Sequence, residues 1–403
     1  MAPHEVVVTG YGVFTSYGFG AQALRDGLFA GRAGFTPVTR FDPTPYHADR
    51  AATYEGEGPE IPGVPVKPGV TPGQSEVLRA CTLAALSMAR TTGAHAPVFL
   101  GTAGDHSANR RFWEDIAAGR TPVDPRVLDS MPARIAERLG EELGLGAQRL
   151  AFVNACVAST NAIAHAAELI SRGGADTVVA GGAYLVTEDV FAKFDSGKAL
   201  SREGVVRPFA KGRMGLLQGD GVAVLVLESA RHARERGAQV LAKVAGWGMA
   251  ADAYHVIQPH PKGEGMAKAA QAAIQRAGVT PEQIGYVNAH GTGTPLNDVA
   301  ETAALHRVFG DHAAAVPVSS TKSGTGHMLE ATGAVEAVIS ILALRDGLLP
   351  PTLGYQEPDP ACDLDYIPGT ARPATITHAL SLNAAFGGVN AALVLERTPE
   401  DTV

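Results

Sequence analysis

The chain has 403 residues and a formal charge of −8, enough length for one large or two medium domains around a substantial core. The negative balance disfavours general nucleic-acid binding, and no apolar run is long enough to insert in a membrane. Three cysteines, Cys81, Cys156 and Cys362, are too few for a disulfide framework and point to a reducing cytoplasm, and no Cys/His cluster has zinc-site spacing. Met1-Ala2-Pro3-His4-Glu5 lacks a basic region, so no signal peptide is expected.

In chain order, Val6-Val7-Val8-Thr9-Gly10 begins a strand and Ala21 to Ala30 is a short helix closed by Gly31. Residues 40–75, rich in Pro and Gly, read as a surface excursion. Ser75 to Arg90 is helical, residues 97–101 are a buried strand, and Ala133 to Leu143 is a helix with a charged outer face. Arg149 to Val153 reads as a buried strand, and a helix begins at Val157. Strands follow at Thr177–Gly182 and Gly221–Glu228, then a charged helix from Ser229 to Arg236. After Gly237 the alternation starts again: strand 240–245, helix 267–276, strand 284–288, helix 298–308, strand 316–319. A long apolar helix, Leu329 to Leu344, is ended by Gly347 and Pro350-Pro351, and strands near 376–382 and 391–396 close the chain. This alternation predicts an α/β architecture. Two similar halves, 1–237 and 238–403, point to an internal duplication, although a single doubly wound sheet gives a similar pattern.

Three stretches carry chemistry. Cys156 lies where a strand meets a helix, so the helix dipole favours its thiolate and backbone N–H groups there can hold an oxyanion. Taken alone, it reads equally as a small buried thiol under a helix. Asn288-Ala289-His290-Gly291-Thr292-Gly293-Thr294-Pro295 follows a strand; its glycines permit close backbone approach and its threonines offer hydroxyls. His290 alone also fits a core histidine. Ser319-Ser320-Thr321-Lys322-Ser323-Gly324-Thr325-Gly326-His327 precedes the apolar helix and does not match the phosphate-binding order. His327 sits at that helix's start, where the dipole favours a neutral imidazole, and duplicated halves place it opposite Cys156. Lys322 needs an anion; Glu336, Asp298 and Glu301 are the candidates.

Cys156, His290, Lys322 and His327 at strand-to-helix junctions of two matching halves resemble the β-ketoacyl synthases of the thiolase superfamily. The nearest likeness is to the elongating, decarboxylating ketosynthases (ketosynthase II-like) of fatty-acid and type II polyketide assembly. It runs through Val6–Gly10, Arg207-Pro208-Phe209, Asp252–His255, Cys362-Asp363-Leu364-Asp365 and Phe386-Gly387-Gly388-Val389-Asn390. The resemblance implies a thiolase-like α/β fold, two duplicated halves layered αβαβα. It implies that Cys156 takes an acyl group from an acyl carrier protein and that the backbone N–H groups of Cys156 and Phe386 hold the oxyanion. His290 and His327 stabilise the enolate left when a malonyl carrier loses carbon dioxide. Lys322, supported by Glu336, orients the site by its charge. Thr292 and Thr294 hydrogen-bond the phosphopantetheine arm, and Phe386 gates the acyl pocket. No metal or redox cofactor is required. Relatives are dimers, so a homodimer, or a heterodimer with a chain-length-factor-like subunit, is expected.

The same residues discriminate among relatives. Degradative thiolases carry a second active-site cysteine near the C-terminus, whereas Cys362 here sits in a structural segment. Priming synthases use Cys-His-Asn, and this chain has a second His; chain-length-factor subunits lack the Cys. Several positions depart from the common pattern: Ala210, Met214, Leu216, Ala384, Ala385 and Val389. Leu216 and Ala384 trade aromatic rings for smaller side chains in the acyl pocket, and Ala385 stiffens the gate because it lacks glycine's freedom. The region before Ser75 lacks the basic cluster that many relatives use to dock acidic carriers. These departures imply a specialised enzyme for an unusual acyl chain, polyunsaturated or branched. A largely non-catalytic partner subunit and a non-decarboxylating acyltransferase are the competing readings.

Overall fold

The computed structural model describes residues 3–121 and 125–398; Met1 and Ala2, part of the N-terminal run read above, lie outside the described residues. Ten main strands form one continuous ladder. The first five are β1 (Val6–Thr15), β2 (Val98–Gly101), β3 (Arg149–Phe152), β4 (Thr177–Tyr184) and β5 (Gly221–Ser229). The second five are β6 (Ala242–Ala251), β7 (Ile284–Asn288), β8 (Val318–Ser319), β9 (His378–Ala385) and β10 (Val389–Glu396). Their order across the sheet is β8-β7-β9-β10-β6-β1-β5-β4-β2-β3. Read outward from the centre, β1-β5-β4-β2-β3 and β6-β10-β9-β7-β8 follow the same sequence of connections. Pair directions match as well: two antiparallel pairings, then two parallel ones, in each half. The halves meet where β1 and β6 pair, at Val7↔Lys243 and Val8↔Ala242.

Two helices fill the space between the halves. One, α1 (Ala158–Ser171), follows β3; the other, α2 (Thr332–Asp346), follows β8. Residues 332–344 of α2 are buried on every face, which is why, apart from Thr332, Glu336 and Ser340, its sequence carries no polar stripe. It stops at Gly347, whose φ of 63° gives the left-handed cap expected of that residue. The N-terminal turns of α1 and α2 cross in contact. A Cβ on Gly333 would lie 1.9 Å from the Thr160 hydroxyl, and Ser159 Oγ accepts the Ala334 N–H at 3.0 Å. This crossing brings Cys156 and His327 to one place.

Three expectations need correction. β3 lies at the end of the sheet with a neighbour on one side only, so it is half-exposed rather than buried, and Leu150 and Val153 face outward. The 40–75 segment is irregular, as its Pro and Gly demand, but not superficial. Ala51, Ala52 and Tyr54 are buried, and the Arg40 guanidinium binds Asp220 in two hydrogen bonds and the Tyr54 carbonyl in a third. Residues 21–30 form four residues of α-helix that pass into a π-helical turn, Arg25–Phe29. Two further helices not assigned from the sequence are present, His106–Ala117 and Glu188–Ser196, and the second carries Phe194 to the site cavity.

Candidate active site

Cys156 sits in a single 3₁₀ turn, Ala155–Val157, wedged between β3 and α1. Ala155 holds φ at 52° and Leu329, two residues past His327, holds 41°. Left-handed backbone costs a non-glycine residue roughly 1–2 kcal/mol, so both turns are strained where they present these two side chains. The thiol faces a cavity of ≈340 Å³ that is also lined by His290, His327, Thr292, Thr294, Leu216, Ala384, Ala385 and Phe386. The cavity thus brings together residues from both halves that lie far apart in sequence.

Burial pushes the Cys156 thiol up to about 12, and the nearby Glu330 carboxylate adds to the rise while Lys322 opposes it. The sequence expectation of a dipole-favoured thiolate is therefore overturned for the resting site. A rise from 9.0 to about 12 corresponds to ~4 kcal/mol, whereas a helix terminus supplies at most about 2 kcal/mol. The thiol rests protonated.

The two histidines are kept neutral by the same first cause. Burial, with the Lys322 charge adding to it, drives both imidazoles well below their ordinary range. Their rings stand nearly perpendicular, centroids 5.4 Å apart. The Leu329 N–H donates to His327 Nδ1 at 3.1 Å, and the Thr332 hydroxyl lies 3.2 Å from the same nitrogen. With Nδ1 accepting, the proton sits on Nε2, leaving that nitrogen as a donor. His290 is held through its backbone: its N–H and that of Gly291 donate to Glu301 at 2.6 and 2.7 Å. Its buried Nδ1 has no partner within the described protein.

Lys322 is buried and its ammonium lies 2.6 Å from Glu336 Oε1. The other oxygen of Glu336 accepts from Asn383 Nδ2 at 2.7 Å, and Asn383 Oδ1 in turn accepts from the Thr160 hydroxyl at 2.5 Å. Of the three anions considered for Lys322, Glu336 is the one that pairs with it. Glu301 braces the His290 loop instead. Asp298 accepts the Phe209 N–H at 2.8 Å and faces the Arg213 guanidinium at 3.9 Å. Burial raises Asp298 to about 6 and Glu301 to about 7, and both brace loops by accepting backbone N–H groups.

The cavity rim follows the same logic. Thr292 and Thr294 line it with hydroxyls 2.8 Å apart. Ala385 ends β9 and pairs with Val389, so Phe386 stands at the tip of the β9–β10 hairpin, followed by two glycines with φ of 86° and 73°. Those positive angles explain Gly387 and Gly388. Phe386 is half-exposed and stacks on Phe194, ring centroids 6.0 Å apart. The Gly387 N–H donates to the Val256 carbonyl at 2.8 Å, and the Asp252 N–H to the Gly388 carbonyl at 2.8 Å, tying the hairpin to the 252–256 loop. Leu216 and Ala384 line the cavity with small or flexible apolar groups. Sequence reasoning missed Phe194, Asn383, Thr332 and Glu330. Phe194 lies on the unassigned helix Glu188–Ser196, and the other three act through contacts that no local pattern announces.

Comparison with known proteins gives one family. Residues 73–233 match the model "Beta-ketoacyl synthase, N-terminal domain" and residues 241–356 match "Beta-ketoacyl synthase, C-terminal domain". A protein of Coxiella burnetii named 3-oxoacyl-[acyl-carrier-protein] synthase 2 is 34% identical, over 98% of this chain and 99% of its own length. A solved structure titled "The ishigamide ketosynthase/chain length factor" superposes with a TM-score of 0.87 at 33% identity, covering 99% of this chain and 100% of that one. A second, a type II polyketide ketosynthase in complex with its acyl-carrier protein and bound to the hexaketide, gives 0.87 at 26% identity, over 98% and 100% of the two chains.

Proposed function

The chain belongs to the beta-ketoacyl synthase family, with its thiolase-like αβαβα fold, and from that premise we propose that it condenses an acyl group on Cys156 with a malonyl unit carried by an acyl carrier protein. The observation that carries this reading is the meeting of Cys156, His290 and His327 in one cavity, above a buried Lys322–Glu336 pair.

In the first step, Cys156 Sγ attacks the thioester carbonyl of an acyl carrier. The carrier's thiol leaves, taking up the proton that the cysteine gives up, and a covalent thioester remains. A thiol that rests protonated loses its proton in this exchange rather than beforehand. The backbone N–H groups of Cys156 and Phe386 hold the oxyanion of the tetrahedral intermediate. Malonyl carrier then binds. Its carbon–carboxylate bond breaks, carbon dioxide leaves, and the electron pair becomes an enolate whose oxygen accepts from His290 and His327. Nε2–H of His327, fixed by its two Nδ1 contacts, is preorganised for this task. The enolate carbon attacks acyl-Cys156, the new carbon–carbon bond forms as the carbon–sulfur bond breaks, and the cysteine leaves as thiolate and takes up a proton from solvent to restore the resting thiol. Lys322 touches no substrate in this scheme. Its charge adds to burial in keeping both imidazoles neutral, and Glu336 prevents it from standing alone in the core. Thr292 and Thr294 bind the phosphopantetheine arm; Phe386, Leu216, Ala384 and Ala385 shape the acyl pocket. The reaction draws its driving force from loss of carbon dioxide, and the substrates arrive on the carrier's own arm.

The matched strand order supports a division into functional halves, 1–237 with the nucleophile and 238–403 with His290, Lys322 and His327. One solved relative is titled as a ketosynthase/chain length factor pair and another as a complex with its carrier. We extend both to this chain: an acyl carrier protein as substrate bearer, and a dimer with itself or with a chain-length-factor-like subunit. The smaller groups at Leu216 and Ala384 support a specialised acyl chain. No helix among the described residues is long and apolar enough to cross a membrane. The test is intact mass after incubation with a panel of acyl-carrier thioesters, beside release of labelled carbon dioxide from malonyl carrier. A Cys156-dependent adduct together with carbon dioxide supports condensation. An adduct without carbon dioxide supports a simple acyltransferase, and neither product supports a partner subunit.

A further inference from the structure

Cys156 lines the ≈340 Å³ cavity, so a substrate arm reaches it through the cavity mouth and its bearer sits there. What the bearer meets there is unusual in two respects. First, exposed large apolar side chains gather at this opening. Met214, Ile257, Leu296 and Phe386 line it, and Val256, at 72% exposed the most open large apolar residue described, adjoins it through the Gly387 bond. Apolar patches rimmed by polar groups on a soluble surface mark interaction sites. Second, the cations of the flanking 207–213 segment are already spent. Arg207 pairs with Glu203 at 2.5 Å, Lys211 with Glu357 at 2.6 Å, and Arg213 with Asp359 at 2.5 Å. Lys198 is the lining cation without an acidic partner among the described residues. The chain as a whole carries −8, which opposes long-range attraction of an acidic partner.

We propose that the acyl carrier docks on this ledge chiefly through apolar contacts with Met214, Val256, Ile257 and Leu296, with Lys198 as a single ionic anchor. This rests on the condensing reading above and names how its partner is recognised. The matching carrier presents an apolar helix face beside the serine that bears its arm, rather than a wall of carboxylates.

The experiment compares condensation from donors on an acyl carrier protein with condensation from free pantetheine thioesters, which need no docking. Val256→Asp raises KM for carrier-borne donor about tenfold, as truncating or charging an interface anchor does, and leaves turnover of free thioesters within about twofold. Raising salt from about 0.1 M to about 1 M shortens the screening length from ~10 to ~3 Å and changes the carrier KM less than about threefold. A steep rise with salt, together with no effect of Val256→Asp, overturns the proposal in favour of ionic docking. Should neither donor condense, the condensing reading fails instead; the same two perturbations, read on the Kd of carrier bearing its arm, then decide docking alone.

Discussion

Glu336→Gln tests the buried pair most directly. The substitution keeps volume and shape but removes the negative charge 2.6 Å from the Lys322 ammonium, where the two side chains are 1% and 0% exposed. At an effective dielectric near 20, the gross attraction over that distance is roughly 6 kcal/mol. Desolvation of both groups consumes much of it, and breaking one side of such a pair costs about 3–5 kcal/mol. A second loss follows from donor count. Asn383 Nδ2 donates to the Glu336 oxygen that an amide nitrogen would replace, and flipping Asn383 would turn the Thr160 hydroxyl into an acceptor and leave its own O–H without one. One buried donor is left unmatched, at about 1–3 kcal/mol. Denaturant unfolding should therefore show a loss of several kcal/mol. Pairing Lys322→Met with Glu336→Met removes both charges and should recover most of it, a coupling energy above about 2 kcal/mol. The double variant should nonetheless condense poorly. Without the Lys322 field both imidazoles take up protons more readily, and the acid limb of the pH profile should move to higher pH. A Glu336→Gln enzyme within about 1 kcal/mol of native stability, well under the usual cost of breaking a buried pair, and with native turnover, would refute the reasoning.

Four further outcomes are expected. Alkylation of Cys156 by iodoacetamide should climb about tenfold per pH unit from neutrality to beyond pH 10, because the thiol rests high; a plateau near pH 7 would restore the dipole-stabilised thiolate. Glu330→Gln should speed that alkylation, since the carboxylate is the strongest charge opposing thiolate formation, and an unchanged rate would remove Glu330 from the site. Both histidines titrate well below their usual range, so decarboxylation should stay flat from about pH 8 to below the ordinary histidine value of about 6.5; an inflection there that vanishes in His327→Gln would contradict it. The same depression carries a stability sign: the unfolded histidines bind protons first, so the native state loses free energy as pH falls below ~6.5, by about 1.4 kcal/mol per unit and per ring. Thr332→Val strips one of the two contacts on His327 Nδ1 and should slow decarboxylation about tenfold while acyl loading of Cys156 stays native.

The reach of sequence reasoning can be judged residue by residue. Cys156, His290 and His327 were visible because each stands where an apolar strand run gives way to small residues, and the crossing of α1 over α2 then brings two of those junctions together. The apolar character of α2 was legible too, but its pattern gave no warning that Glu336, one of its few polar residues, is buried with the rest. The residues alone left the anion for Lys322 open among Glu336, Asp298 and Glu301, and only the resemblance pointed to Glu336; the fold decides which carboxylate faces the ammonium and which brace loops. β3 looked buried because its residues are apolar, yet a strand's burial depends on having neighbours, and β3 has one. The 40–75 segment looked superficial because Pro and Gly report backbone shape, not depth; Arg40 and Tyr54 are drawn inward by Asp220, more than 160 residues away in the chain. The thiol's resting state was misjudged by weighing the dipole without the larger cost of a dry site.

The Gly387–Val256 hydrogen bond gives the rim a property that neither part has alone. Phe386 on one side of that bond lines the cavity that holds Cys156; Val256 on the other lies exposed beside its mouth. Joined through the backbone, the two form a lever, and thermodynamic reciprocity applies to it. If loading Cys156 turns Phe386, the affinity for an incoming carrier changes by the same factor with which carrier binding changes the ease of loading. An enzyme that must admit two different carriers in strict turn can thus keep count of which has already called, with no site beyond the one it uses for chemistry.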